Sequence, residues 1–185
     1  MPKIQKIKFI FGKTIVFRNV DIEDAKFIFD LRSNPKKSLY LNPPPISLDD
    51  QKMWIRNYEK TQNEAYFIIE HQNKKIGTVR MYDQKSSSFA WGSWILSDEA
   101  PYNSAIESTL IIYECGFNFL GFDKSHFDVK KNNIKVWQFH ERLGAKRASE
   151  DEINYYYQLT KKDYIIKQKK YSKFLNTENI IFKKE

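Results

Sequence analysis

The sequence predicts a mixed α/β fold whose sheet is mostly antiparallel, with one parallel pair at its centre and helices around it. Two observations carry that prediction. Short runs of β-formers bounded by polar turns occur at residues 8–11, 14–20, 65–70, 75–82 and 89–96, the pattern of hairpins and a meander. Residues 125–145, SHFDVKKNNIKVWQFHERLGA, then read as strand, polar turn, short helix and terminating glycine. The element order, two strands, two helices, three strands, then helix and strand in alternation to a last helix, suits such a mixed sheet.

In the first hairpin, residues 8–11 and 14–20 are separated by Gly12-Lys13. Asp21 is a good N-cap, and Ala25, Ile28, Phe29 and Leu31 recur behind it at helical spacing. That helix should fray near Ser33-Asn34-Pro35, because the residue before proline disfavours the α conformation. Pro43-Pro44-Pro45 is a stiff extended segment, and Ser47 with Asp50 makes a capping-box variant opening a helix that carries Met53, Trp54, Ile55 and Tyr58. The strands at 65–70 and 75–82 are joined by the polar turn 71–74, and a second turn at 84–88 leads to the strand at 89–96.

Pro101 is expected at the first helical position of a helix whose apolar residues, Ile106, Leu110, Ile111, Tyr113, Phe117 and Phe119, cover most of its circumference. It should be the buried central helix, ended by Gly121. In the next unit Phe127 and Val129 mark the strand, Asn133 caps a helix over 134–142, and Gly144 ends it as a C′ glycine. Residues 153–159, with three consecutive tyrosines, form a last strand. A helix through Tyr164, Ile165, Gln168, Tyr171 and Phe174 follows, and residues 176–185 carry no clear signal.

Composition sets outer limits. A chain of 185 residues is most economically one domain, long enough to bury about 70 % of its unfolded surface. Aromatics at 16 %, against only six glycines and six prolines, argue for a packed core. Cys115 has no partner for a disulfide or a cysteine metal cluster, and three scattered histidines supply no ligand spacing, so no metal is expected. No apolar run is long enough to span a bilayer and the lysine-interrupted start is no signal-peptide core, so the expected location is the cytoplasm. The net charge of +8 suits a polyanionic partner, but the lysines are scattered and no nucleic-acid-binding motif accompanies them; nucleic acid is not expected.

Asn133 and His140 are seven residues apart, so two helical turns bring them to nearly the same face. With Val136, Gly144 and Ala145 they occupy the places of the pattern N-x-x-[S/A]-x-x-x-Y-x-x-x-G-F, through which the chain resembles the GNAT superfamily of acetyl-CoA-dependent N-acetyltransferases. Val136, His140 and Ala145 depart from its commonest residues. The resemblance covers roughly residues 14–159 and implies a GNAT-like acyl-CoA N-acyltransferase fold with a splayed parallel pair. It gives Asn133 a contact with the pantetheine arm and His140 the role of general acid toward the departing thiolate, which suits an imidazole with an ordinary pKa near 6.5. Val136, Trp137, His140 and Leu143 also form an apolar stripe, so His140 reads equally as a core histidine.

The same resemblance places a bulge in the strand at 89–96, marked by Gly92, where the backbone of Trp94, Ile95 and Leu96 lines the cofactor cleft and can stabilise an oxyanion. It expects a glycine-rich turn for the CoA diphosphate where this chain has DEAPYN, residues 98–103. Proline has no N–H to donate, and the two acids repel a diphosphate, which leaves the amides of Asn103, Ser104 and Ala105 for it, or weak CoA affinity. In the branch containing ribosomal-protein and nucleotide-sugar acetyltransferases, residues 31–58 line the acceptor site, with Arg32 to hold a phosphate and Trp54 to stack on a sugar or base. Arg32 reads equally as a surface ion-pair partner, and Trp54 as core. His126 and Asp128 share a strand face and are either acceptor-site groups or an exposed or paired polar face.

The expected activity is transfer of an acetyl group from acetyl-CoA to the amine of a small acceptor, most of all a nucleotide-linked amino sugar of surface polysaccharide synthesis. A protein or peptide N-terminus, a catalytically silent GNAT-fold nucleotide-binding protein and a basic nucleic-acid-binding domain are the alternatives. A homodimer is left open as the oligomeric state.

Overall fold

The computed structural model describes residues 1–184. Strands β1 (Ile7–Phe11), β2 (Val16–Asn19), β3 (Ala65–His71), β4 (Lys74–Lys85), β5 (Ser88–Leu96), β6 (Lys124–Lys130), β7 (Lys146–Glu150), β8 (Asn154–Thr160) and β9 (Ile181–Lys184) form one sheet in the order β7-β8-β6-β5-β4-β3-β2-β1-β9. Every neighbouring pair is antiparallel except β5 and β6, the one parallel pair. Helices are α1 (Ala25–Ser33), α2 (Pro35–Ser38), α3 (Leu48–Lys60), α4 (Ser104–Glu114), α5 (Ile134–Arg142) and α6 (Lys161–Gln168).

Strand alternation divides the apolar residues between the two sheet faces. Phe67, Ile69, Val79, Met81 and Phe89 join Leu110 to Tyr113 of α4 in the larger core, with Leu143 beyond α5 and Tyr164 of α6. Tyr66 and Ile68 point the other way and pack against Ala25 and Ile28 of α1 and Ile55 and Tyr58 of α3. The start of α1 is tied to three strands by the fully buried Asp24. Arg18 of β2 donates to both its oxygens at 2.9 Å and reaches Glu70 of β3 at 3.0 Å, while Lys75 of β4 lies 2.6 Å from Asp24.

Helix ends follow the local chemistry. Ser47 and Asp50 make the expected capping box on α3. After α5 the chain closes a Schellman motif: Gly144 takes φ +99° and donates to Glu141 O at 3.0 Å, and Ala145 donates to His140 O at 3.0 Å.

Several elements differ from expectation. The central helix begins at Ser104, not at Pro101; the Pro101 carbonyl closes a turn onto the Ser104 N–H at 2.9 Å, and a π-helical turn, Cys115–Phe119, continues the helix. Residues 35–38 form α2, capped by the Asn34 side chain on the Lys36 N–H. The helix after β8 ends at Gln168, followed by 3-10 turns at Lys169–Tyr171 and Thr177–Asn179. Strand β7 was hidden because all five of its residues are exposed and show no alternation. Strand β9 lies in the stretch without signal and pairs with β1, its Phe182 stacking on Phe119 at 4.2 Å; Glu185 lies outside the described residues.

Candidate active site

The site exists because two strands part. Strands β5 and β6 pair at Ser88–Lys124 and Phe89–Ser125 and nowhere further along. On the other side of β5, the register against β4 shifts between Thr78–Ile95 and Arg80–Gly92, so β5 carries an extra residue there. Ser93, next to the expected marker Gly92, adopts φ +48°, and its carbonyl accepts a 2.8 Å hydrogen bond from Thr78 Oγ1. The bulge tilts the end of β5 away from β6 and leaves backbone at Ser93 and Trp94 facing the gap, unpaired with β6. Such backbone can bond the amides of an extended ligand in the manner of a missing strand.

Two cavities meet at this gap. The larger, about 620 Å³, lies between the 40–45 loop, α3 and the polar face of β4; the smaller, about 300 Å³, runs between the end of β5 and the start of α5. Gly92, Ser93, Phe127 and Asp128 wall both, together with the loop residues Tyr40 to Asn42.

Arg32 and Trp54 both line the larger cavity. The Arg32 guanidinium donates to the Asn42 and Pro43 carbonyls at 3.1 and 3.4 Å, so it holds the stiff loop against the end of α1. Trp54 stacks on Tyr58 at 5.9 Å and meets Tyr66 edge-on at 5.4 Å, so one indole serves as both packing and wall. Arg80 lies over Trp54 at 4.9 Å and over Tyr82 at 5.2 Å, and pairs with Glu64 at 2.6 Å. Its Nε is buried without a hydrogen-bond partner among the described residues. Sequence reasoning missed Arg80 and Tyr82, although the alternation of β4 was available as a signal: opposite Gly92 and Ala90 in register, they face away from the core side of Met81.

Trp94, Asn133, Val136 and His140 line the smaller cavity. Asn133 holds the N-cap position of α5, but its side chain makes no capping bond and is available to the cavity. Trp94 Nε1 donates to Ser108 Oγ at 3.1 Å. His140 is 4 % exposed among Trp91, Phe127 and Phe139, with Nδ1 3.3 Å from the Tyr113 hydroxyl. Burial pushes its pKa down to about 3, so at neutral pH the ring is a neutral hydrogen-bonding group and not an imidazolium. Burial likewise pushes the Tyr113 hydroxyl far above its ordinary range.

Of the two strand-face candidates, Asp128 walls both cavities, whereas His126 is held between Ser88 Oγ at 2.7 Å and Asp83 Oδ2 at 3.1 Å and, like the remaining sequence candidates, lines neither. Ile95 and Leu96 pair with Thr78 and Gly77, and the Ile95 side chain is core. Asn103 is the N-cap of α4 and Ser104 and Ala105 are its first residues; the Ser104 N–H is already engaged by Pro101, and its hydroxyl is buried without a partner among the described residues. That leaves the first-turn N–H groups of Ala105 and Ile106 without intrahelical acceptors. Asp98, whose charge opposes a diphosphate there, is paired with Lys37 of α2 at 2.5 Å.

A mostly antiparallel sheet with one parallel pair that splays at a bulge, and a strand–turn–helix beside the gap, defines a GNAT fold. Residues 14–146 match the family model of the acetyltransferase (GNAT) domain, and the chain belongs to that family; it is an N-acetyltransferase. Among solved structures it is similar to apo FdhC, described as a nucleotide-linked sugar GNAT, at 43 % identity and TM-score 0.81, over 89 % of this chain and 96 % of that one. It is 22 % identical to the acetyltransferase PseH of Campylobacter jejuni over 76 % of this chain and 88 % of that protein. Spermidine N-acetyltransferase of Vibrio cholerae, solved with CoA and spermine, shares the fold at 18 % identity and TM-score 0.74, over 82 % of this chain and 98 % of that one. The family uses acetyl-CoA. Among the described residues no helix is long and apolar enough to cross a membrane.

Proposed function

We propose that this enzyme transfers the acetyl group of acetyl-CoA to the amine of a nucleotide-linked amino sugar, in the cytoplasm, as a step of surface polysaccharide synthesis. The observation that carries the reading is the larger cavity, walled by Arg32, Arg80 and the rings of Trp54 and Tyr82 and opening at Gly92 onto the smaller one. Guanidinium groups suit a diphosphate and aromatic faces suit a base or sugar. Similarity to FdhC, a nucleotide-linked sugar GNAT, supports the same acceptor class.

In this reading the smaller cavity takes the acetyl-CoA arm. The backbone of Trp94, with Ile95 and Leu96 behind it, and the Asn133 side chain hold the pantetheine; of the Asn103, Ser104 and Ala105 amides assigned to the diphosphate, that of Ala105 is best placed, since the Ser104 N–H is held by the Pro101 carbonyl. Arg32 and Trp54 hold the acceptor. His140 sits at the leaving sulfur and, being neutral, acts as a hydrogen-bond donor that steadies the thiolate. No metal takes part.

Calorimetric titration with acetyl-CoA followed by a thiol-release screen of amino-sugar nucleotides, peptides and polyamines tests the proposal. The expected outcome is acetyl-CoA binding and turnover fastest on an amino-sugar nucleotide. Faster turnover on a peptide or a polyamine would replace the acceptor, and absence of acetyl-CoA binding would end the reading.

A further inference from the structure

Holding the acceptor by its phosphates and rings leaves its amine without a partner. Alkyl amines are ammonium ions at neutral pH, and a nitrogen attacks a carbonyl only with its lone pair free, so the site needs a group that attracts the cation and takes its proton. Of the side chains lining the two cavities, Asp50 and Asp128 are the carboxylates. Asp50 is engaged at the start of α3, where it accepts from Ser47 N at 3.1 Å and Ser47 Oγ at 2.8 Å. Asp128 has no hydrogen-bond or ion-pair partner among the described residues. It is exposed, stands on β6 beyond the last residue that pairs with β5, and borders both cavities. Tyr82 faces it from β4 and Tyr156 is its register partner on β8.

From this placement we infer that Asp128 is the catalytic residue that binds the acceptor's ammonium group and accepts its proton. The inference rests on the transfer reaction proposed above but not on the acceptor's being a nucleotide sugar. Charge along the combined cavity is then uneven: Arg32 and Arg80 line the larger cavity alone, and Asp128 stands on the wall it shares with the smaller one. An acceptor with an anionic end and an amine end has one favourable direction in such a field, amine toward the thioester.

The protons balance as follows. As nitrogen attacks the thioester carbonyl, one ammonium proton passes to the Asp128 carboxylate and the C–N bond forms. The C–S bond then breaks with its electron pair on sulfur, the second nitrogen proton ends on that sulfur, and Asp128 returns its proton to water. Ammonium and thioester give amide, thiol and one proton.

The test compares wild type with Asp128→Asn and Asp128→Glu, using the best amine from a panel of amino-sugar nucleotides, polyamines and peptides, and methoxyamine, which is already neutral at neutral pH. Asp128→Asn should lower transfer to the alkyl amine by about 10²- to 10⁴-fold. Its melting temperature, the thermal shift given by acetyl-CoA and its rate with methoxyamine should stay near wild type, and Asp128→Glu should recover part of the lost rate. At least half of wild-type turnover on the alkyl amine in Asp128→Asn overturns the inference, and so does an equal loss on methoxyamine, which marks a structural role. If the best amine proves to be a peptide or polyamine, the nucleotide-sugar reading fails while the Asp128 comparison is still decided on that amine. Wild type that acetylates no amine of the panel overturns both.

Discussion

His140 sits in a box of rings, Trp91, Phe127 and Phe139, with the Tyr113 hydroxyl against Nδ1, and its physics at that place predicts two separable effects. Its pKa falls from 6.5 in the unfolded chain to about 3 in the folded one, so between those values the unfolded state binds the extra proton. Stability from this group is therefore complete above pH 6.5 and is lost as pH falls toward 3, by about 1.4 kcal/mol per pH unit. His140→Phe, which keeps a ring and removes the titration, should flatten urea-melt stability against pH across that window by about that slope. An unchanged slope would mean that the ring is not held neutral. The second effect is catalytic. A hydrogen bond to a charged sulfur contributes about 1.5–3 kcal/mol, so the same variant should lower kcat roughly ten- to a hundredfold with little change in acetyl-CoA affinity. A wild-type kcat with a break near pH 6.5 that His140→Phe abolishes would show instead that the ring is charged in the complex.

At the scale of elements, the bulge of β5 separates catalytic geometry from ordinary sheet. Gly92 has no side chain where a Cβ would meet Tyr82 Oη at 2.8 Å, so Gly92→Ala must shift the phenol that lines the larger cavity. The acceptor KM should rise several-fold while acetyl-CoA affinity stays within a factor of about two, which steady-state kinetics and calorimetry read separately. Ser93 carries a φ of +48°, where a Cβ is strained and glycine is not. Ser93→Gly should therefore leave acetyl-CoA binding intact and stability within about 1 kcal/mol of wild type or above it; a lost acetyl-CoA thermal shift would mean that the serine side chain, not the backbone, makes the site. Gly92 as a marker placed this bulge within one residue, because a glycine inside a strand is a local signal. The Asn133-to-Gly144 unit was legible for the same reason: caps and a C′ glycine are written next to the helix they bound. Arg80 and Tyr82 reach the site by long-range register between β4 and β5, which no local pattern records. Burial decides the charge state of His140, and the rings that bury it come from β5, β6 and its own helix, so an imidazole at a tyrosine's place in the motif said nothing about its pKa. Strand β9 escaped notice because its stability comes from β1 and from Phe119, not from its own propensity.

Across the whole molecule, the two cavities share a wall of β5, β6 and the 40–42 loop, but α3 and β4 line only the larger and α5 only the smaller, which predicts how binding energies divide. Acetyl-CoA should stabilise the fold by about 2.7 kcal/mol at a hundred times its Kd, visible as a rise in melting temperature. Asn133→Ala, at the start of α5, should weaken that response and leave the acceptor KM nearly unchanged. Arg80→Ala or Trp54→Ala, on β4 and α3, should do the reverse. Asn133 and Arg80 share no hydrogen bond or ring contact, so the double variant Asn133→Ala with Arg80→Ala should lose kcat/KM by the product of the single losses, because distant sites without shared partners combine additively in free energy. A loss much smaller than the product would mean that both residues serve one ligand, and the division of the cleft into a cofactor end and an acceptor end would have to be redrawn. The product rule has a built-in control in Gly92: combined with Arg80→Ala, Gly92→Ala should depart from additivity, since the Tyr82 ring it displaces lies under the Arg80 guanidinium.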